Sequence, residues 1–191
     1  MTKTRLETFS DGVIAIIITI MVLELHAPEE ASWQALLSLL PVFLSYVLSF
    51  VFLGIYWNNH HHLLQAVKHI DGKVLWANMH LLFWLSLIPF TTAWMGTNHF
   101  AAQTVALYGT VLMLSAGAYF ILVRCLLSIH NGNSNLAKAL GSDFKGKISI
   151  VLYLAAIPLA FIVPWLSCGL YVLLAVMWLI PDPRIEKRLV E

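Results

Sequence analysis

The chain has 191 residues, of which 60% are hydrophobic and only 11% charged, with a formal net charge of +1. A soluble domain carries about 25% charged residues and could not cover this much apolar side chain with so few polar groups, so a soluble globular fold is excluded. The near-neutral balance provides no basic surface for nucleic acid, and two cysteines, Cys125 and Cys168, are too few for a disulfide framework.

A membrane span needs about 20 residues, because a helix rises ~1.5 Å per residue and the hydrocarbon core is ~30 Å thick. The first candidate is Asp11–Leu25, about 22 Å long by the same rise. It ends in Glu24-Leu25-His26 with no small-residue cleavage site, which predicts a retained span rather than a signal peptide. Arg5, Glu7, Phe9, Ser10 and Asp11 precede it at the interface. Ionisable groups at membrane depth are costly and usually face a partner. Two readings are open here. Arg5 and Asp11 find partners on neighbouring helices, or Ser10 and Asp11 cap the helix N-terminus. Within the span, Ile16, Thr19, Ile20 and Leu23 share one face at helical spacing. Spacing alone favours a plain buried stripe, with Thr19 bonded back to the carbonyl four residues earlier.

The second candidate, Trp33–Tyr56 with a possible extension to Leu64, ends in Trp57-Asn58-Asn59-His60-His61-His62. Three histidines in a row suggest a metal. Successive helical residues point ~100° apart and do not converge on one ion, so no metal site is expected. Snorkelling at the interface is the simpler account, and His60 or His61 bonding the first span is the alternative. The remaining candidates are Val74–Met95, His99–Leu127, Ile148–Pro164 and Trp165–Ile180, the last pair joined by a turn at Pro164, Ser167 and Gly169. Ser128–Lys147, with Asn131-Gly132-Asn133-Ser134-Asn135, is the longest loop, and Pro181–Glu191 is a polar tail.

These elements predict an all-α polytopic membrane protein, one domain over residues 1–191, with six transmembrane helices and no separate soluble unit. Cytoplasmic loops carry the excess of Lys and Arg. Six crossings put every basic residue on one side: Lys3, Arg5, Lys68, Lys73, Arg124, Lys138, Lys145, Lys147, Arg184, Lys187 and Arg188. Glu24, Glu29 and Glu30 fall on the other. Both termini are therefore expected in the cytoplasm, with the bundle in the cell (inner) membrane. No GxSxG, Walker-type phosphate loop or paired CxxC occurs, so no catalytic residue and no enzyme is expected. The TVGYG filter of potassium channels is also missing.

The run Arg5-Leu6-Glu7-Thr8-Phe9-Ser10-Asp11 fits an RxxxFSD signature, and Trp57-Asn58-Asn59-His60-His61 fits a WxxHH pattern. Trp76-Ala77-Asn78, Pro89-Phe90-Thr91-Thr92, Ala106-Leu107-Tyr108-Gly109 and Pro181-Asp182 continue the match along most of the chain. The sequence thus resembles the bacterial relatives of transmembrane protein 175, an endolysosomal potassium channel family. The resemblance implies six helices per subunit, a homotetramer, and a pore lined by the first helix without a looped selectivity filter. It implies a constriction at Ile16, Ile20 and Leu23, a hydroxyl ring at Thr19, and permeation by potassium and other monovalent cations. No cofactor, metal or nucleic acid is implied, and the lipid bilayer is the surrounding partner. Arg5, Phe9, Ser10, Asp11, Trp57, His60, His61 and Asn78 would form a network holding the pore helix.

Three other readings differ in class. A proton- or cation-coupled secondary transporter would relay protons through Asp11 and the histidines. A haem- or metal-dependent membrane oxidoreductase would use His60, His61, His62, His80 and His99. A purely structural membrane protein would transport nothing.

Overall fold

The computed structural model describes residues 2–67, 69–129 and 144–179. The expectations for Lys68, the asparagine-rich loop with Lys138, and the C-terminal tail with Arg184, Lys187 and Arg188 lie outside those residues. The described chain contains eight α-helices and no strand.

Helix α1 runs over Lys3–Leu23 and is capped by the Thr2 side chain, which accepts from the Arg5 N–H at 3.4 Å. It therefore begins well before Asp11. Ser10 and Asp11 lie inside the helix, so the reading that they cap it is overturned. Its 21 residues reach about 31 Å, a full hydrocarbon thickness rather than a short span.

The second predicted span divides. Ser32 caps the short α2, Trp33–Ser38, and α3 runs over Leu40–Gln65. Pro41 has no N–H, and the helix breaks at Leu39 just before it. The third span divides for the same reason. Here α4 covers Gly72–Ser86 and α5 covers Ile88–Thr97, with Leu87 and Pro89 at the junction. Thr91 and Thr92 donate to the Ile88 carbonyl at 3.1 and 2.7 Å, supplying hydrogen bonds close to the break. Helix α6 follows over Ala102–Ile129. The intervening turn holds His99 and Phe100 in the left-handed region, at φ 48° and 59°. Phe100 is buried against Trp165 at 4.9 Å, and that packing holds the strained turn.

The last pair is a helical hairpin, α7 over Phe144–Leu159 and α8 over Pro164–Leu179. Its turn lies at residues 160–163, and Pro164 opens α8, so Ser167 and Gly169 are helical rather than part of the turn. Ser167 instead ties the two helices by donating to the Ala156 carbonyl at 2.8 Å.

Among the described residues four segments are long and apolar enough to cross a membrane: α1, α3, the kinked pair α4–α5, and α6. Helices α7 and α8 have 16 residues each, about 24 Å. Two helix approaches are close at glycines. A Cβ on Gly96 would stand 2.7 Å from the Val42 Cα, and one on Gly109 would overlap the Tyr171 hydroxyl.

Side-chain bonds fix which ends lie together. Lys3 donates to the Gln65 carbonyl, joining the start of α1 to the end of α3. Asn78 joins the start of α4 to both. Ser49–Tyr108 and Tyr119 to the Asn59 carbonyl run α3 and α6 in the same direction. Trp178 bonds Ser149, bringing the end of α8 to the start of α7. The described basic residues Lys3, Arg5, Lys73, Arg124, Lys145 and Lys147 therefore gather at one end of the bundle, and Glu24, Glu29 and Glu30 at the other.

Candidate functional site

Helix α1 has two faces of different fate. Leu6, Ser10, Ile14, Ile17 and Met21 follow a spacing of four, four, three and four, and all are buried in the bundle. On the other side Phe9, Ile16, Thr19, Ile20 and Leu23 are exposed, Ile16 at 58% and Leu23 at 75%. The stripe is therefore not buried in its own subunit, contrary to what spacing alone favoured. The Thr19 hydroxyl donates to the Ile16 carbonyl at 2.8 Å, three residues back rather than four. With its proton so engaged, the Thr19 oxygen keeps its lone pairs for the outward side.

The buried face is held at its basic end by three sets of polar contacts. The first is a one-way relay. Ser10 donates to the Leu6 carbonyl at 2.8 Å, so its oxygen accepts from the Asn78 amide at 2.9 Å. The Asn78 carbonyl then faces His60 Nε2 at 2.7 Å, and His60 must be the donor. Asn78 and Ser10 are fully buried, and His60 is 1% exposed. The second contact is from the Trp57 indole N–H to the Asp11 carboxylate at 3.0 Å. The third pairs His61 Nδ1 with Glu7 at 3.2 Å, while His61 Nε2 meets the Gln65 amide at 2.8 Å.

Ser10, Asp11, Trp57, His60, His61 and Asn78 are thus brought together as a network on the pore-helix candidate. Arg5 and Phe9 are not part of it within this chain. Both stand exposed on the outward side of α1. Sequence reasoning missed Glu7 and Gln65. The signal for Glu7 was available, because Lys3, Glu7 and Asp11 recur every four residues and so share one face.

The three adjacent histidines diverge, His60 toward Asn78 and His61 toward Glu7. Among the described residues no group of three His, Cys, Asp or Glu side chains is placed to hold a metal. At the acidic end, Glu24 borders a small crevice with Met21, Ser45, Tyr46, Pro89 and Thr92.

Long apolar helices around a hydrogen-bonded polar anchor define a helical integral membrane protein. A family profile described as the endosomal/lysosomal potassium channel TMEM175 matches residues 5–89. A potassium channel of a Chryseobacterium species is 56% identical over the full length of both chains. A potassium channel of Chamaesiphon minutus is 31% identical, over 90% of this chain and 91% of its own. The mouse endosomal/lysosomal proton channel TMEM175 is 31% identical over 54% of this chain and 23% of its own length. The fold is similar to the crystal structure of a lysosomal potassium-selective channel TMEM175 homologue from Chamaesiphon minutus. That match has a TM-score of 0.80 at 29% identity and covers 93% of this chain and 96% of the other. The chain belongs to the TMEM175 family, a family of ion channels and not of enzymes.

Proposed function

We propose that the protein is a potassium-permeable cation channel, a homotetramer of six-crossing subunits whose α1 helices line the pore. The observation that carries this is the division of α1. One face is tied into its subunit by Ser10, Asp11 and Glu7, while the opposite face is a smooth apolar stripe with one hydroxyl, uncovered by the described residues. In this reading α2–α3, α4–α5, α6, α7 and α8 supply the other five crossings, and residues 1–191 act as one channel domain. The basic end faces the cytoplasm of a cell membrane, with both termini on that side.

Four copies of the stripe bring Ile16, Ile20 and Leu23 into rings around an axis. Alkyl rings expel water, and such constrictions gate by dewetting. A cation that enters loses hydration that alkyl groups do not replace. Thr19 offers four hydroxyl oxygens at this level, a weaker substitute for water than a carbonyl cage. The expected selectivity is therefore a modest preference for potassium over sodium, with larger, weakly hydrated alkali cations also passing.

Potassium flux into liposomes containing purified protein, with sodium as comparison, tests the proposal. Channel conduction gives unitary currents that follow the potassium gradient. Saturable uptake coupled to a proton gradient, without unitary currents, would instead identify a secondary transporter.

A further inference from the structure

Arg5 lies five full helical turns from Leu23 and within about 20° of Ile16 around the α1 axis, at 3.6 residues per turn. Its side chain is exposed on the outward face and makes no hydrogen bond or ion pair among the described residues. The acidic groups nearest in sequence keep their charge but face α3 on the far side of the helix, so at the axis they offset it only in part. Glu7 and Asp11 lie about 160° and 120° away around the helix and are engaged by His61 and Trp57. Lys3, the other cation of this turn, is turned to the Gln65 carbonyl.

We propose that Arg5 forms a ring of four positive charges at the inner mouth of the pore and makes the current inwardly rectifying. This rests on the tetrameric, α1-lined reading given above. The ring stands about 16 Å along the axis from Ile16, on the water-filled side of the constriction. It therefore acts on cations approaching from the basic end and leaves the Thr19 level untouched. Four unit charges about 8 Å from a passing cation, in water and with a screening length of ~8 Å, lower local cation occupancy about fourfold. Outward current draws on that depleted pool. Inward current draws on the opposite mouth, where the described ionisable groups are acidic apart from His26 and His99.

The test is the ratio of outward to inward current in inside-out patches with equal potassium on both sides. For the wild type the expected ratio is well below one. Arg5→Gln should raise outward current about threefold to fourfold. The potassium–sodium reversal potential should stay unchanged, because the constriction is not altered. Arg5→Lys, which keeps the charge, should keep the rectification. A measurement on the wild type needs no variant. Holding potassium fixed and adding impermeant monovalent salt to ~1 M shortens the screening length to ~3 Å and should abolish the asymmetry. A linear wild-type current–voltage relation, an asymmetry insensitive to added salt, or a ratio unaltered in Arg5→Gln overturns the inference. A linear relation would mean that a neighbouring subunit's carboxylate neutralises the arginine. Each of these outcomes leaves potassium conduction itself standing. An absence of any wild-type potassium current would instead refute the channel reading beneath it.

Discussion

Replacing Asn78 with Ala removes the middle of the relay that ties α1 to α3 and α4. The His60 Nε2–H then loses its acceptor in a site that is 1% exposed, and the Ser10 oxygen loses a donor while keeping its own bond to the Leu6 carbonyl. An orphaned buried N–H costs about 1–3 kcal/mol. The void left by the amide adds about 1 kcal/mol. Hydrogen bonds between membrane helices average nearer 0.6 kcal/mol, with a ceiling of about 1.7, so the lower half of the range applies. The expected loss is about 2 kcal/mol, and Ser10→Ala, which frees one amide hydrogen and leaves almost no void, should cost about half as much. Unfolding equilibria in bicelles, followed by steric trapping of α1 against α4, measure both changes. A double-mutant cycle between Asn78→Ala and His60→Ala isolates the shared bond, with an expected coupling of about 1 kcal/mol. A coupling below about 0.3 kcal/mol would refute the relay as a tie on α1, as would a Ser10→Ala variant less stable than Asn78→Ala.

Thr19→Ala should lower the potassium-to-sodium permeability ratio with conductance retained, and an unchanged reversal potential would rule out the hydroxyl as selector. Leu23→Asn or Ile16→Asn should wet the constriction and raise conductance in reconstituted liposomes, because an amide holds water where the alkyl ring does not. If conductance does not change, neither residue lines the passage. Gly96→Ala should destabilise by about 1–3 kcal/mol, because its Cβ meets the Val42 Cα at 2.7 Å and backbone cannot step aside. Thermal unfolding of the detergent-solubilised protein checks this, and full stability would show that α5 and α3 separate easily.

The sequence by itself determined that the chain lives in a bilayer, that it is helical, and which end of the bundle is basic. Those properties follow from apolar length and charge placement, which are local and additive along a chain. The motif at Arg5–Asp11 also marked the family without any coordinates. The boundaries were less legible. The polar opening Lys3–Asp11 holds only Leu6 and Phe9 as apolar residues, too weak a signal to extend the span over it, and its partners on α3 and α4 stabilise the helix there. Pro41 and Pro89 were visible as residues, but whether each bends a span or ends it depends on what rebonds the carbonyls around it. Beside Pro89 the Leu87 N–H does so, turning back to the Leu85 and Trp84 carbonyls. Helical spacing gathered Ile16, Thr19, Ile20 and Leu23 on one face and was silent on which way that face turns. Tertiary structure decided it. In a chain this apolar both faces of a helix are greasy, and the side that enters the bundle is the one carrying polar groups that must find partners out of water. On α1 those groups are Ser10, Asp11 and Glu7, and satisfying them on α3 and α4 leaves the alkyl stripe uncovered on the far side.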